Sequence, residues 1–211
     1  IKGITMAITT YAELKTTVAD FLNRDDLTAT VPSFIHLAES NINRDVRHWR
    51  MEIKSTLSIA SQFTALPTDW LEPVRLTVQG DGTSELTLLS MSEIAKKRSE
   101  SNNAGGRPLY YAISGNDIEV QPSPASAYVL DIIYKSRTAA LSDSNTANWL
   151  LTYAPDVYLY GTLIHSAPYL KDDERTTLWA SLYNAAVLNL NKDSQKAKLG
   201  GSGMKMKIDS Y

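Results

Sequence analysis

The chain has 211 residues, 43% hydrophobic and 21% charged, enough for one domain or two small ones and for burial of roughly 70% of the unfolded surface. It contains no cysteine, which excludes disulfide frameworks and thiolate metal sites and fits folding in a reducing compartment. A formal net charge of −2 sets up no global field for nucleic acid or a membrane surface; with neither a signal peptide nor an apolar run of about 18 residues, the expectation is a soluble protein with no membrane partner.

Thr10-x-x-Glu13 is a capping box, and Tyr11, Leu14, Val18, Phe21 and Leu22 then share one face of a helix of about three turns, ended by Asn23-Arg24-Asp25-Asp26. A second helix starts near Thr30 with Pro32 in its first turn, and Phe34, Ile35, Ala38, Ile42, Val46 and Trp49 form its apolar stripe. Its far side carries Arg44, Arg47 and His48. Cations there complement a helix C-terminus, and the same trio suits phosphates or an acidic partner.

After Arg50 the period changes to alternation. Ile53, Leu57 and Ile59 mark one strand and Val74, Leu76 and Val78 another; Gly80-Asp81-Gly82 turns the chain toward Leu86 and Leu88. Ser90-x-x-Glu93 opens a short helix that ends in Lys96-Lys97-Arg98, and Ser101 to Arg107 reads as a flexible loop. Tyr111 and Ile113, the Gly115-Asn116 turn, and Ile118 and Val120 form a tight hairpin. Pro122-Ser123-Pro124 breaks it. Tyr128 to Lys135 is a continuous apolar run and hence a central strand.

A polar connector, Asp143 to Asn148, leads to a helix from Pro155, on which Val157, Leu159, Tyr160, Leu163, Ile164 and Ala167 form a wide apolar arc. Tyr158, Gly161, Thr162, His165 and Ser166 fall outside that arc, and Pro168 predicts an end or a kink. Asp172-Asp173-Glu174 starts the last helix, with Leu178, Trp179, Leu182, Tyr183, Ala186 and Leu190 on one face and a stop at Gly200-Gly201. In the tail, Met204, Met206 and Ile208 alternate with Lys205, Lys207 and Asp209.

The expected fold class is α+β: an α-helical bundle of two N-terminal and two C-terminal helices, with an inserted antiparallel β-rich domain and an extended C-terminal tail. The expected boundaries are 1–50 for the N-terminal helices, 51–137 for the insertion with its short helix, 138–199 for the C-terminal helical hairpin and 200–211 for the tail.

Chemistry is hard to place on this chain. His36, His48 and His165 are scattered without metal-ligand spacing, Asp172-Asp173-Glu174 sits where capping accounts for it, and there is no G-x-S-x-G elbow. Gly105-Gly106-Arg107 lacks phosphate-loop spacing. No catalytic residue, metal or cofactor is therefore expected. Tyr153, Tyr158, Tyr160, Tyr169 and Tyr183 crowd the last two helices, as interface rings or as satisfied core tyrosines.

Four stretches in this order carry a resemblance: the Tyr11 to Leu22 helix with Phe34-Ile35-x-Leu37-Ala38-Glu39; Leu66-Pro67-x-Asp69-Trp70-Leu71; Tyr111-x-Ile113-x-Gly115 with Pro122-x-Pro124; and Pro155-Asp156 through Leu170-x-Asp172-Asp173-Glu174. Together they make the chain similar to the head-to-tail adaptor (head-completion or connector) proteins of short-tailed bacteriophages. The resemblance implies a structural, non-enzymatic protein of the virion's head-tail interface, assembled in the bacterial host cytoplasm. It further implies a homo-oligomeric ring of about twelve subunits between the portal protein and the tail nozzle or tail-fibre proteins. Genomic DNA would pass through its channel without sequence-specific binding. The extended C-terminal segment, here Met204, Lys205, Met206, Lys207, Ile208 and Tyr211, would dock on the portal and order there. The family offers no catalytic residue to transfer. A second expectation is a virion-associated binding module whose β insertion recognises a tail component or a host glycan.

Overall fold

The two capping boxes read from the sequence open two of the six α-helices found among the described residues. The computed structural model describes residues 7–80, 85–102, 104–170 and 175–199. In chain order the elements are α1 (Tyr11–Leu22), α2 (Val31–Asp45), β1 (Glu52–Ile59), β2 (Phe63–Ala65), β3 (Trp70–Val78), β4 (Thr87–Leu88), α3 (Met91–Glu100), β5 (Tyr110–Ser114), β6 (Asp117–Gln121), β7 (Tyr128–Ser136), α4 (Trp149–Tyr153), α5 (Pro155–Leu170) and α6 (Thr176–Leu199). The fold is α+β. It divides into a helical unit, Ile1–Arg50 with Thr138–Tyr211, and a β unit, Met51–Arg137.

In the helical unit, α1 begins where the Thr10 side chain accepts from Glu13 N at 3.3 Å and the Glu13 carboxylate accepts from Thr10 N at 2.9 Å. It ends on Asn23, whose φ of 51° is the left-handed conformation that asparagine tolerates. Helix α5 is the centre of the unit, in contact with α1, α2, α4 and α6. Tyr158, Gly161, Thr162 and Ser166, expected outside its apolar arc, are buried together with Val157, Leu159, Leu163 and Ala167. The Thr162 and Ser166 hydroxyls tolerate that burial. Thr162 donates to Tyr158 O at 2.7 Å and Ser166 to Leu163 O at 2.8 Å, so both hydroxyls are satisfied within their own helix. Gly161 allows close approach: a Cβ there would lie 3.3 Å from Tyr183 Cε2 and 3.4 Å from Ala38 Cβ. Pro168 does not end the helix, which continues to Leu170.

Helix α6 buries Trp179, Tyr183, Val187 and Leu190. Leu178, expected on that face, is 58% exposed, whereas Val187, not assigned to it from the sequence, is buried. Burial of Val187 and of Leu190 contributes about 1.5–3 kcal/mol each. Asp172-Asp173-Glu174, the Gly200-Gly201 stop and the tail from Met204 to Tyr211 lie outside the described residues.

In the β unit, one sheet has the strand order β1-β7-β3 and is antiparallel throughout, so β7 is the central strand as its apolar run predicted. The second sheet has the order β2-β6-β5-β4. Its short β4–β5 pair is parallel, and its other pairs are antiparallel. Strand β2, only three residues long, is absent from the sequence reading. Residues of both sheets, among them Ile59, Leu76, Ile118, Val120, Leu130 and Ile132, share one core.

Candidate functional site

Where the chain leaves α2 and where it returns, polar side chains hold it to the helical unit. Tyr183 Oη donates to Asp45 Oδ2 at 2.9 Å, Asn191 Nδ2 to Asp45 O at 3.0 Å, Arg47 N to Asn191 Oδ1 at 2.8 Å and Trp49 N to Ser194 Oγ at 2.9 Å. Tyr183, Asn191 and Ser194 are all on α6, which therefore fastens the segment after α2 along its length. On the return, Thr138 N donates to Asn43 Oδ1 at 2.9 Å and Leu141 N to Glu39 Oε1 at 2.6 Å. Glu39 also accepts from Tyr158 Oη at 3.4 Å, and Asn148 Nδ2 donates to that hydroxyl at 2.7 Å. Burial, followed by the Asp45 hydrogen bond for Tyr183, pushes both phenols above their ordinary range; burial also raises the Glu39 carboxyl. Tyr158 is thus a satisfied core tyrosine and not an interface ring.

The sequence placed Arg44, Arg47 and His48 together on the far side of α2. The helix ends at Asp45, with Val46 already extended, so only Arg44 stands on it. Its exposed guanidinium donates to Asn41 Oδ1. Arg47 is half-buried and caps carbonyls, with Nη1 donating to Asn43 O at 3.0 Å and Val46 O at 2.7 Å. His48 is 1% exposed and stacks on Trp149 with centroids 5.2 Å apart. Its Nδ1 accepts from Arg50 N at 3.2 Å, which places the proton of the neutral ring on Nε2. Burial, and secondarily Arg50, lowers its pKa. Trp49, assigned to the helix stripe, lies beyond the helix and is 42% exposed. Arg50, which no sequence motif marked, sits 4.5 Å from the Tyr153 ring centroid and 5.3 Å from that of Trp49.

Helix α6 has a second face. Leu178 and Leu188, 58% and 54% exposed, with Ser181 and Ala185 between them, run at heptad spacing on the side opposite Trp179, Tyr183, Val187 and Leu190.

Within the β unit, the segment between β2 and β3 and the β5–β6 turn enclose a groove of about 680 Å3. The Leu66-Pro67-x-Asp69-Trp70-Leu71 stretch builds one wall. Trp70 N donates to Pro67 O at 3.1 Å to close the turn, Asp69 O accepts from Arg137 N at 2.7 Å, and Asp69 Oδ1 accepts from Tyr134 Oη at 2.9 Å. Trp70 stacks on Tyr134 at 4.8 Å. The other wall is Ile113 with the Gly115-Asn116 turn, tied across by Leu66 N donating to Asn116 O at 2.9 Å. Gly115, at φ 63°, adopts the positive φ this two-residue turn requires. The sequence identified both stretches without showing that they meet, and nothing in its local pattern marked Arg137, the residue that follows β7 and lines the same groove.

No group of three or more His, Asp or Glu able to hold a metal ion occurs among the described residues. None of the described helices is long and apolar enough to cross a membrane. The densest polar contact in the β unit is structural: buried Glu119 pairs with Arg98 of α3 and accepts from Gln62 Nε2 at 2.8 Å. The arrangement is one of fastened segments, a two-faced helix and an open groove. No curated protein matches the chain. The family model described as SU10 adaptor protein matches residues 9–203, which is nearly all of the sequence, and the chain belongs to that family of phage head-to-tail adaptors.

Proposed function

We propose that the protein is a non-enzymatic subunit of a ring that joins the phage portal to the tail and surrounds the DNA channel. The observation that supports this most is the outer face of α6: Leu178 and Leu188 stand in solvent on a helix whose opposite face already serves the core. An apolar and small-residue stripe at heptad spacing suits the same helical unit of a neighbouring copy, and repetition of one heterologous contact closes a ring. Family membership supports a virion location and portal and tail partners.

In this reading the ring has about twelve subunits, assembles in the host cytoplasm and lets genomic DNA slide, with which the near-neutral charge balance is compatible. Arg44, exposed on α2, is the member of the basic trio available to phosphate or to an acidic neighbour, whereas His48 is enclosed. The Met204 to Tyr211 segment docks on the portal as an added strand, with Met204, Met206 and Ile208 on one side. Sedimentation velocity of the chain alone and with portal tests the reading. A closed oligomer or a portal-bound complex is expected, and Leu178→Lys with Leu188→Lys should prevent it without unfolding the subunit. A chain that stays monomeric at every concentration and never sediments with portal would overturn it.

A further inference from the structure

We propose that the groove of the β unit receives an extended segment of another protein in which an apolar side chain stands next to a carboxylate. Arg137 takes the carboxylate, and Leu66, Leu71 and Ile113 take the apolar side chain.

Three observations carry this. First, Arg137 is the single charged residue among those lining the groove, and its guanidinium has no partner among the described residues. Folding uses only its backbone N–H, which donates to Asp69 O. A cation beside an apolar wall, with no internal anion, is complementary to a lone acidic group on an apolar ligand. One guanidinium is too little for a nucleic-acid backbone, whose binding rests on many phosphate contacts.

Second, the walls are held before any ligand arrives. Main-chain hydrogen bonds at Pro67, Asp69 and Asn116 fix them, and stacking of Trp70 on Tyr134 fixes the floor between them. Such preorganisation lowers the entropic cost of binding. Third, shape fits a peptide. The volume of about 680 Å3 is too large for an ion, and Pro67 and Pro73 contribute no N–H to it. Strand β3, which supplies Trp70, Leu71 and Pro73, is an edge strand, so an extended chain can lie beside it.

The proposal does not depend on ring formation. Ligand-observed saturation-transfer NMR on the full chain, with acetyl-Leu-Asp-Leu-amide as probe, reads out binding whether the protein is monomeric or assembled. The expected result is binding of the Asp peptide about fivefold tighter than its Leu-Asn-Leu counterpart, the scale of a partly exposed charge-assisted contact. Arg137→Gln, whose backbone bond to Asp69 is kept, should remove the difference between the two peptides. Asn116→Asp should weaken the Asp peptide selectively. No saturation transfer to either peptide, equal affinity for both, a preference that survives Arg137→Gln, or a response to maltotriose in place of the peptides would each overturn the proposal.

Discussion

The helical unit and the β unit both pair buried polar groups, and they differ in what is left open to a partner. In the helical unit, Glu39, Asp45, Tyr158, Tyr183, Asn191 and Ser194 all find partners inside the unit, and most of those bonds fix the segments by which the chain leaves and returns. In the β unit, Arg137 faces a groove with no partner among the described residues. Satisfied polar groups make a surface geometrically definite and chemically quiet, which suits a scaffold. An unsatisfied cation over an apolar wall is what a recognition surface offers.

The strongest way to break this comparison is to damage each core separately. Leu163→Ala in α5 and Ile132→Ala in β7 both remove fully buried side chains and should each cost about 2–5 kcal/mol. Calorimetry should show the two losses in different transitions; if both variants lower one and the same transition alike, the units are not separate in stability. Tyr158→Phe comes next, at about 1–3 kcal/mol, because it strips a partner from buried Glu39 while Asn148 keeps its bond to Ala139 O. Denaturant titration measures it, and a neutral outcome would mean that the network contributes nothing to the scaffold.

A pH series sharpens the same point. Burial raises the Glu39 carboxyl above its ordinary value of 4.5, so the stability it confers is present below that value and is lost as pH rises through the raised pKa. Glu39→Gln keeps an acceptor for Leu141 N and should be more stable than the parent at about pH 8, with the advantage vanishing toward about pH 4. The histidines have the opposite sign. His48 and His165 are both lowered from 6.5 by burial, so their contribution is present above 6.5 and lost as pH falls through the lowered pKa. In the Glu39→Gln background, where the opposing carboxylate is gone, stability flat between about pH 5 and 7 would contradict the burial that lowers both rings. The smallest expected effect is Arg137→Gln, within about 0.5 kcal/mol of the parent in the same titration. A larger loss would show that Arg137 belongs to the fold and not to the groove.

Much of the architecture was legible because its signals are local. Thr10 and Glu13, or Ser90 and Glu93, declare a helix start within four residues, and the largely apolar Tyr128 to Lys135 run declares a strand with a neighbour on either side. The failures are those of long-range packing. Tyr158 and Thr162 look like an outer face until α2 and α6 close over them, and the approach at Gly161 depends on Tyr183 and Ala38, far away in sequence. The end of α2 carries no glycine or proline, so nothing signalled that Arg47 and His48 had left the helix. The groove was unreadable for a related reason. Leu66, Ile113 and Arg137 are brought together only by sheet pairing and a few main-chain bonds, and no short motif spans them.

The central claim is that this chain works by shape and by contact with copies of itself and its neighbours. Electron micrographs of the purified full-length protein mixed with portal assemblies test it most directly. The account predicts closed rings seated on one end of the portal, lost in the Leu178→Lys, Leu188→Lys variant. Fields of separate small particles beside bare portals, identical for parent and variant, would contradict it.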